Sequence, residues 1–210
     1  MNKVYLTIVE HYEHCLDEYG DSHKGVDWPK QDDTEKRYEV MLNVIKFGKD
    51  TQKKAELLDF GCGAAHLLDF MIKKNIENIN YSGLDISEKF ISLSRKKFSN
   101  VPFYCLDILD SKTALPSFDY IIMNGVFTEK RELSFEEMWN YFCKMLKKIF
   151  QFADKGIAFN VMSKAVDWER DDLFHLPTDL LVDFLTKNLT RNFIIRNDYG
   201  LYEYTTYVYR

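Results

Sequence analysis

No stretch of the 210-residue chain approaches the ~20 consecutive apolar residues needed to span a bilayer. The opening, Met1-Asn2-Lys3-Val4, leads into a mixed polar segment without the apolar core of a secretory signal. The expectation is a cytoplasmic protein with no membrane partner. Cysteines are few and scattered: Cys15, Cys62, Cys105 and Cys143 include no C-x-x-C pair, so neither a zinc site nor a disulfide scaffold is expected, and no metal. Positive charge is in deficit, with 28 Lys and Arg against 33 Asp and Glu and a net charge of −5. The cluster Arg95-Lys96-Lys97 reads as the solvated end of a helix, where cations complement the dipole. Backbone recognition of nucleic acids draws on a concentrated basic face, so no nucleic-acid partner is expected. Internal repeats and low-complexity tracts are also lacking.

What the chain does contain fits one domain with a sizeable core: 46% hydrophobic residues, 29% charged and a plentiful 15% aromatic. The expected layout is a helical extension over residues 1–50, able to act as a lid, and an α/β core over 55–210. Val4, Tyr5, Ile8, Val9, Tyr12, Cys15 and Leu16 follow a helical spacing that Gly20 ends. A polar loop from Asp21 to Asp33 carries His23 and Trp28, and a second helix is expected from Thr34 to Phe47 with Gly48 as its stop. From Ala55 onward apolar strands and helices alternate, which implies parallel strands joined by right-handed crossovers. Ser134-x-x-Glu137 is a capping box at the head of a helix whose apolar stripe includes Met138, Phe142, Met145 and Ile149. Gly156–Met162 reads as the fifth strand, followed by a helix from Pro177-Thr178 to Asn188. Segments 192–198 and 203–209 are β-rich and separated by Tyr199-Gly200-Leu201-Tyr202, too short for a helical crossover, so they should form an antiparallel hairpin.

The chemistry concentrates at strand ends. Leu57-Leu58-Asp59-Phe60-Gly61-Cys62-Gly63 runs from a strand into a glycine turn that permits close approach of a ligand and is expected to turn its amides toward it. Cys62, inside that turn, reads as a small side chain tucked under the loop and not as a nucleophile. Asp85 closes the second apolar run at the spacing, about 20 residues, where an acid can accept from a ribose diol. The alternative is an aspartate capping the helix that starts at Ser87. The third run, Pro102 to Ile108, carries Asp107, and the fourth, from Phe118, ends in Asn124-Gly125. In an open parallel sheet such ends line one binding rim. The dinucleotide pattern G-x-G-x-x-G needs a small residue where this chain has His66, which disfavours hydride-transfer cofactors, and a phosphate loop is absent.

With Asp59, Gly61 and Gly63 in place and Ala65 at the position of a third glycine, the sequence resembles the class I S-adenosylmethionine-dependent methyltransferase family. The resemblance implies an α/β, Rossmann-like, seven-stranded and mostly parallel sheet in the order 3-2-1-4-5-7-6 with the last strand antiparallel. It implies S-adenosyl-L-methionine as cofactor and S-adenosyl-L-homocysteine as product. It also implies that the turn from Gly61 through Cys62 and Gly63 receives the methionyl part and that Asp85 takes the ribose hydroxyls. Ile86 and Ile108 would flank the adenine, Asp107 would accept from its amine, and Asn124-Gly125 would lie near the sulfonium. Asp59 either organises the loop or reaches the donor's amino group.

A base is less evident. His23, His175 and Tyr199 are the candidates, together with Tyr12, in segments expected near the rim, with His175 in a loop after the fifth strand. Asn124-Gly125-Val126-Phe127 lacks both prolines of the motif used by enzymes that methylate the amines of bases. The acceptor is therefore expected to be a small molecule, a sugar or another biosynthetic intermediate, and the protein a monomer or homodimer. The competing reading is a non-catalytic S-adenosylmethionine-binding regulatory or assembly subunit.

Overall fold

The computed structural model describes residues 3, 5–47, 54–110 and 115–210. Helical periodicity becomes helix in α1 (Leu6–Tyr19) and α2 (Gln31–Lys46), with a single 3-10 turn at Lys24–Val26 between them. Helix α2 begins three residues ahead of the expected Thr34. Asp32 and Asp33 in its first turn favour the positive end of the helix dipole, and the Thr34 hydroxyl donates back to Lys30 O at 3.1 Å. The stop expected at Gly48 lies outside the described residues.

The core then runs β1 (Ala55–Phe60), α3 (His66–Lys73), β2 (Ile79–Asp85), α4 (Glu88–Lys97), β3 (Phe103–Cys105) and β4 (Phe118–Met123). It continues with α5 (Phe135–Phe150), β5 (Ala153–Ser163), β6 (His175–Leu176), α6 (Thr178–Asn188), β7 (Phe193–Arg196) and β8 (Glu203–Tyr209). The sheet order is β3-β2-β1-β4-β5-β8-β7, with β8 antiparallel to both neighbours. Apart from the two-residue β6, this is the expected order with its antiparallel last strand. Strand β5 is longer than expected and overruns β4, whose register ends at Met123 opposite Phe159. The exposed edge is taken by β6, with His175 opposite Met162. Strand β3 is shorter than expected, because β2 ends at Asp85 opposite Cys105 and offers no partner further on. Asp107 and Ile108 consequently sit in a loop.

Alternation along the strands divides the core between two faces. Leu58, Ile121, Met123, Ile157 and Phe159 pack with Met138, Phe142, Leu146 and Ile149 of α5 and with Leu181 and Leu185 of α6. Leu57, Tyr120, Ile122 and Ala158 point the other way, onto Met41, Leu42 and Ile45 of α2 and Leu67 and Met71 of α3. The capping box forms as read: Glu137 N donates to Ser134 Oγ at 3.2 Å and Ser134 N to Glu137 Oε2 at 2.9 Å. Among the described residues no helix is long and apolar enough to cross a membrane.

Candidate functional site

The carboxyl ends of β1, β2 and β4 and the loop after β3 converge on one cavity, roofed by α1 and the 3-10 segment. Its empty space is about 1150 Å³, counting the open mouth. Asp59, Gly61, Cys62, Gly63, Asp85, Ile86, Asp107, Ile108, Asn124 and Gly125 all line it. So do Tyr5, Ile8, Val9 and Tyr12 from the α1 segment and Val26 and Trp28 beyond it.

The glycine turn is built differently from the sequence expectation. Leu84 O accepts from both Gly61 N (2.7 Å) and Cys62 N (3.0 Å), Gly63 N donates to Asp85 Oδ2 (2.9 Å), and Ala65 N donates to Cys62 O (2.9 Å). These amides are spent on the fold and do not face the cavity as free donors. What the turn offers is bare backbone. Gly61 has a φ of +74°, and a Cβ there would meet Val126 Cγ2 at 2.6 Å. Ala65, at the position of the third glycine, also adopts a left-handed conformation, with φ 57°. Alanine is therefore more than a packing substitute there: it carries about 1–2 kcal/mol of backbone strain. Cys62 is buried, and burial followed by the charges of Asp85 and Asp59 pushes its thiol well above the usual range, which leaves it unreactive.

Asp59 is 4% exposed and accepts from Tyr81 Oη at 2.8 Å. Burial pushes its carboxyl up to about 7, opposed by the Tyr81 bond and reinforced by Asp85. Asp85 accepts Gly63 N–H on Oδ2 and Ser87 N–H on Oδ1, each at 2.9 Å. It therefore does cap the helix start while lining the cavity. A carboxylate has about four acceptor positions, so the Gly63 and Ser87 bonds, with the Ile86 amide also directed at it, leave acceptor capacity to spare. Burial raises its pKa, and the Ser87, Gly63 and Ile86 amides pull it back part of the way.

Asp107 is more heavily engaged. Oδ1 accepts from Leu109 N at 3.0 Å, and Oδ2 accepts from Tyr5 Oη at 2.6 Å and Lys3 Nζ at 3.1 Å. Burial is outweighed by those bonds, which hold the carboxyl below its usual range. At the β4 end, Asn124 Oδ1 is buried with no hydrogen-bond partner. A buried acceptor left unmade is costly and marks a place where a donor belongs.

A family model for the methyltransferase domain matches residues 51–177, more than half of the chain. The chain belongs to the class I S-adenosylmethionine-dependent methyltransferase family. The family uses S-adenosylmethionine as its methyl donor. A candidate methyltransferase of Mycobacterium tuberculosis (Rv1506c) is 26% identical over 155 residues, covering 71% of this chain and 90% of that protein. Magnesium protoporphyrin IX methyltransferase from Synechocystis PCC 6803, with bound S-adenosylhomocysteine, superposes with a TM-score of 0.65 at 16% identity, covering 98% and 99% of the two chains. The plantazolicin methyltransferase BpumL, in complex with a pentazolic desmethylPZN analogue and S-adenosylhomocysteine, gives 0.60 at 14% identity over 99% and 98%. At such identities the two structures share the fold.

This methyltransferase lays α1 across the site with polar ties to the core. Besides the Tyr5–Asp107 bond, Ser87 Oγ donates to Glu13 Oε1 at 2.5 Å, Lys89 pairs with Asp17 at 2.8 Å, and Asp21 meets His66 at 2.7 Å and Lys97 at 3.1 Å. A second set of residues escaped the sequence reading. Asn160 Oδ1 accepts from Gly125 N (2.8 Å), Asn160 Nδ2 donates to Glu203 Oε1 (3.0 Å), and Arg37 Nε donates to Glu203 Oε2 (2.8 Å). The Arg37 guanidinium lies 4.2 Å from the centre of the Trp28 ring. Trp28 in turn covers Gly125, where φ is +80° and a Cβ would fall 2.7 Å from Trp28 Cζ2. The available signal was Asn160, a lone amide inside the apolar run of β5.

The proposed bases do not gather at the cavity. His175 is 5% exposed: its Nε2 accepts from Arg170 N (3.2 Å), which leaves Nδ1 to donate to Ser163 O (2.6 Å), so both nitrogens hold the loop after β5. Tyr199 is buried against Thr205 Oγ1 at 2.9 Å, and burial pushes its phenol well up. His23 is outside the cavity lining, its carbonyl accepting from Trp28 N at 2.8 Å. Tyr12 does line the cavity. Burial, then the Glu129 and Asp27 carboxylates, raise its phenol far above neutrality, so it is a poor base.

Proposed function

We propose that the protein transfers a methyl group from S-adenosylmethionine to a small-molecule acceptor, a sugar or another biosynthetic intermediate. The observation that carries this reading is the convergence of four strand-end segments, carrying bare glycine backbone, Asp85, Asp107 and Asn124, on one cavity. The residues present fit the donor. Gly61 and Gly63 give a surface without side chains for the methionyl chain. The acceptor capacity left on Asp85 suits the hydroxyls of a ribose. Ile86 and Ile108 supply apolar contact for the adenine, and Asp107 Oδ1 keeps an acceptor position for its amine. Asp59 and Asn124 place polar side chains along the wall where the donor would be held.

The donor supplies a methyl carbon whose bond to sulfur breaks as a bond to the acceptor forms, with loss of the sulfonium charge. The protein's share is alignment and exclusion of water. Tyr5, Ile8, Val9 and Tyr12 act as a lid that closes the rim. Positioning of this kind supplies much of the barrier reduction in a displacement between two held partners.

Titration calorimetry with S-adenosylhomocysteine should show one site per chain, with Asp85→Ala weakening binding at least about tenfold, some 1.4 kcal/mol. Binding unchanged in that variant would remove Asp85 from the ribose role. Methyl-labelled donor incubated with a fractionated metabolite extract should label a small molecule. Retained binding with no labelled product in any fraction would favour the non-catalytic subunit.

A further inference from the structure

We propose that His11, Cys15 and Asp27 form a site for one divalent transition-metal ion of the zinc class, beside the cavity wall. The inference stands apart from methyl transfer. His11 and Cys15 are four residues apart on α1 and so share a face. Asp27 closes the 3-10 turn in a left-handed conformation with φ 56°, a geometry uncommon outside glycine. That conformation delivers its Oδ2 to 2.8 Å from His11 Nε2, while Cys15 Sγ approaches the same nitrogen at 3.7 Å. All three donor atoms lie within 4.8 Å of one another.

Zinc bonds of about 2.0–2.1 Å to nitrogen or oxygen and about 2.3 Å to sulfur imply tetrahedral edges of roughly 3.3 Å for N···O and 3.6 Å for S···N. The S···N separation of 3.7 Å matches its edge, and the N···O separation of 2.8 Å is a hydrogen bond that opens by roughly 0.5 Å to admit the ion. Both contacts are hydrogen bonds that converge on one ring nitrogen, His11 Nε2, which is the arrangement an ion would replace by taking the centre of the three donor atoms. Acidic groups surround the cluster: Glu129, 9% exposed, adds a carboxylate beside Asp27, and it is met by the Arg131 guanidinium at 3.5 Å. Thiolate, imidazole and carboxylate together suit zinc or cobalt and not magnesium or calcium. On coordination the Cys15 thiol gives its proton to solvent and His11 binds as the neutral ring, so thiolate and carboxylate balance the dication. A fourth position is left for water or Glu129.

The sequence held the cue, since a His-x-x-x-Cys pair on a helix is a two-ligand face. Counting only C-x-x-C spacing missed it. Bound metal would tie α1 to the turn before Trp28 and stiffen the lid where Tyr12, Val26 and Trp28 line the cavity.

The test uses the full chain stripped of metal by a chelator and titrated with cobalt(II). Expected is saturation at one equivalent, with a thiolate-to-cobalt charge-transfer band that Cys15→Ser abolishes and Cys143→Ser keeps. Zinc should bleach the band and raise the melting temperature. His11→Ala should weaken cobalt binding by roughly a hundredfold or more. Circular dichroism of each variant before titration separates lost ligation from lost folding. A wild-type protein without the band, a band that survives Cys15→Ser, or a melting temperature indifferent to zinc would each overturn the proposal.

Discussion

Replacing Arg37 with methionine should destabilise the fold by about 3–5 kcal/mol, the usual cost of stranding a buried charge. Glu203 is 1% exposed, and its Oε2 depends on the Arg37 Nε–H at 2.8 Å. Its other oxygen already holds Asn160, so the orphaned carboxylate has nowhere to turn within β8. The double variant Arg37→Met/Glu203→Gln removes the charge together with its partner and should recover much of the loss, because a neutral amide at 203 still accepts from Asn160. Urea denaturation of wild type, both single variants and the double variant gives the coupling. If Arg37→Met alone costs under about 1 kcal/mol, the pair is not the buried support described here. Loss of Arg37 also frees the Trp28 ring, so the variant should bind S-adenosylhomocysteine more weakly at the Gly125 wall.

Asp59 should impose a cost that grows with pH. Its folded pKa is raised from the ordinary 3.8 to about 7, by burial above all. Between those values the folded chain binds the proton more tightly than the unfolded chain, so stability falls as pH rises. Stability is greatest below the unfolded pKa, and the loss is complete once pH passes the folded pKa. Three pKa units correspond to about 4 kcal/mol. Asp59→Asn keeps an acceptor for Tyr81 and removes the titration. The variant should gain on wild type by an amount that increases from pH 5 to pH 8, read as the difference between denaturation midpoints so that histidine titrations common to both cancel. Parallel pH profiles for the two proteins would contradict the assignment.

The carboxyl rim was legible in the sequence because each of its parts is local. A strand, a turn residue and an acid stand next to one another in the chain, and the alternation of β and α leaves few ways to order the strands. Asp85 and the Gly61–Gly63 turn needed only one helix of separation to be recognised. The residues that back the rim were not legible, because their partners are distant: Arg37 and Glu203 are 166 positions apart, and Tyr5 and Asp107 are 102 apart. No periodicity announces such a pair. His175 was misjudged for a different reason, since a histidine in an apparent loop shows nothing of the backbone groups that will occupy its nitrogens. The turn amides failed likewise: glycine's freedom was read as exposure, whereas the Leu84 carbonyl and the Asp85 carboxylate consume those donors. Ala65 shows the limit of arguing from size, for its small side chain says nothing of the positive φ that the turn requires.

The most direct measurement is a crystal structure of the protein saturated with S-adenosylhomocysteine. The account places the ligand against the Gly61–Gly63 turn, its ribose oxygens within hydrogen-bond distance of Asp85 and its adenine between Ile86 and Ile108. A ribose bound away from Asp85, or a cavity closed by its own side chains with the ligand elsewhere, would contradict it.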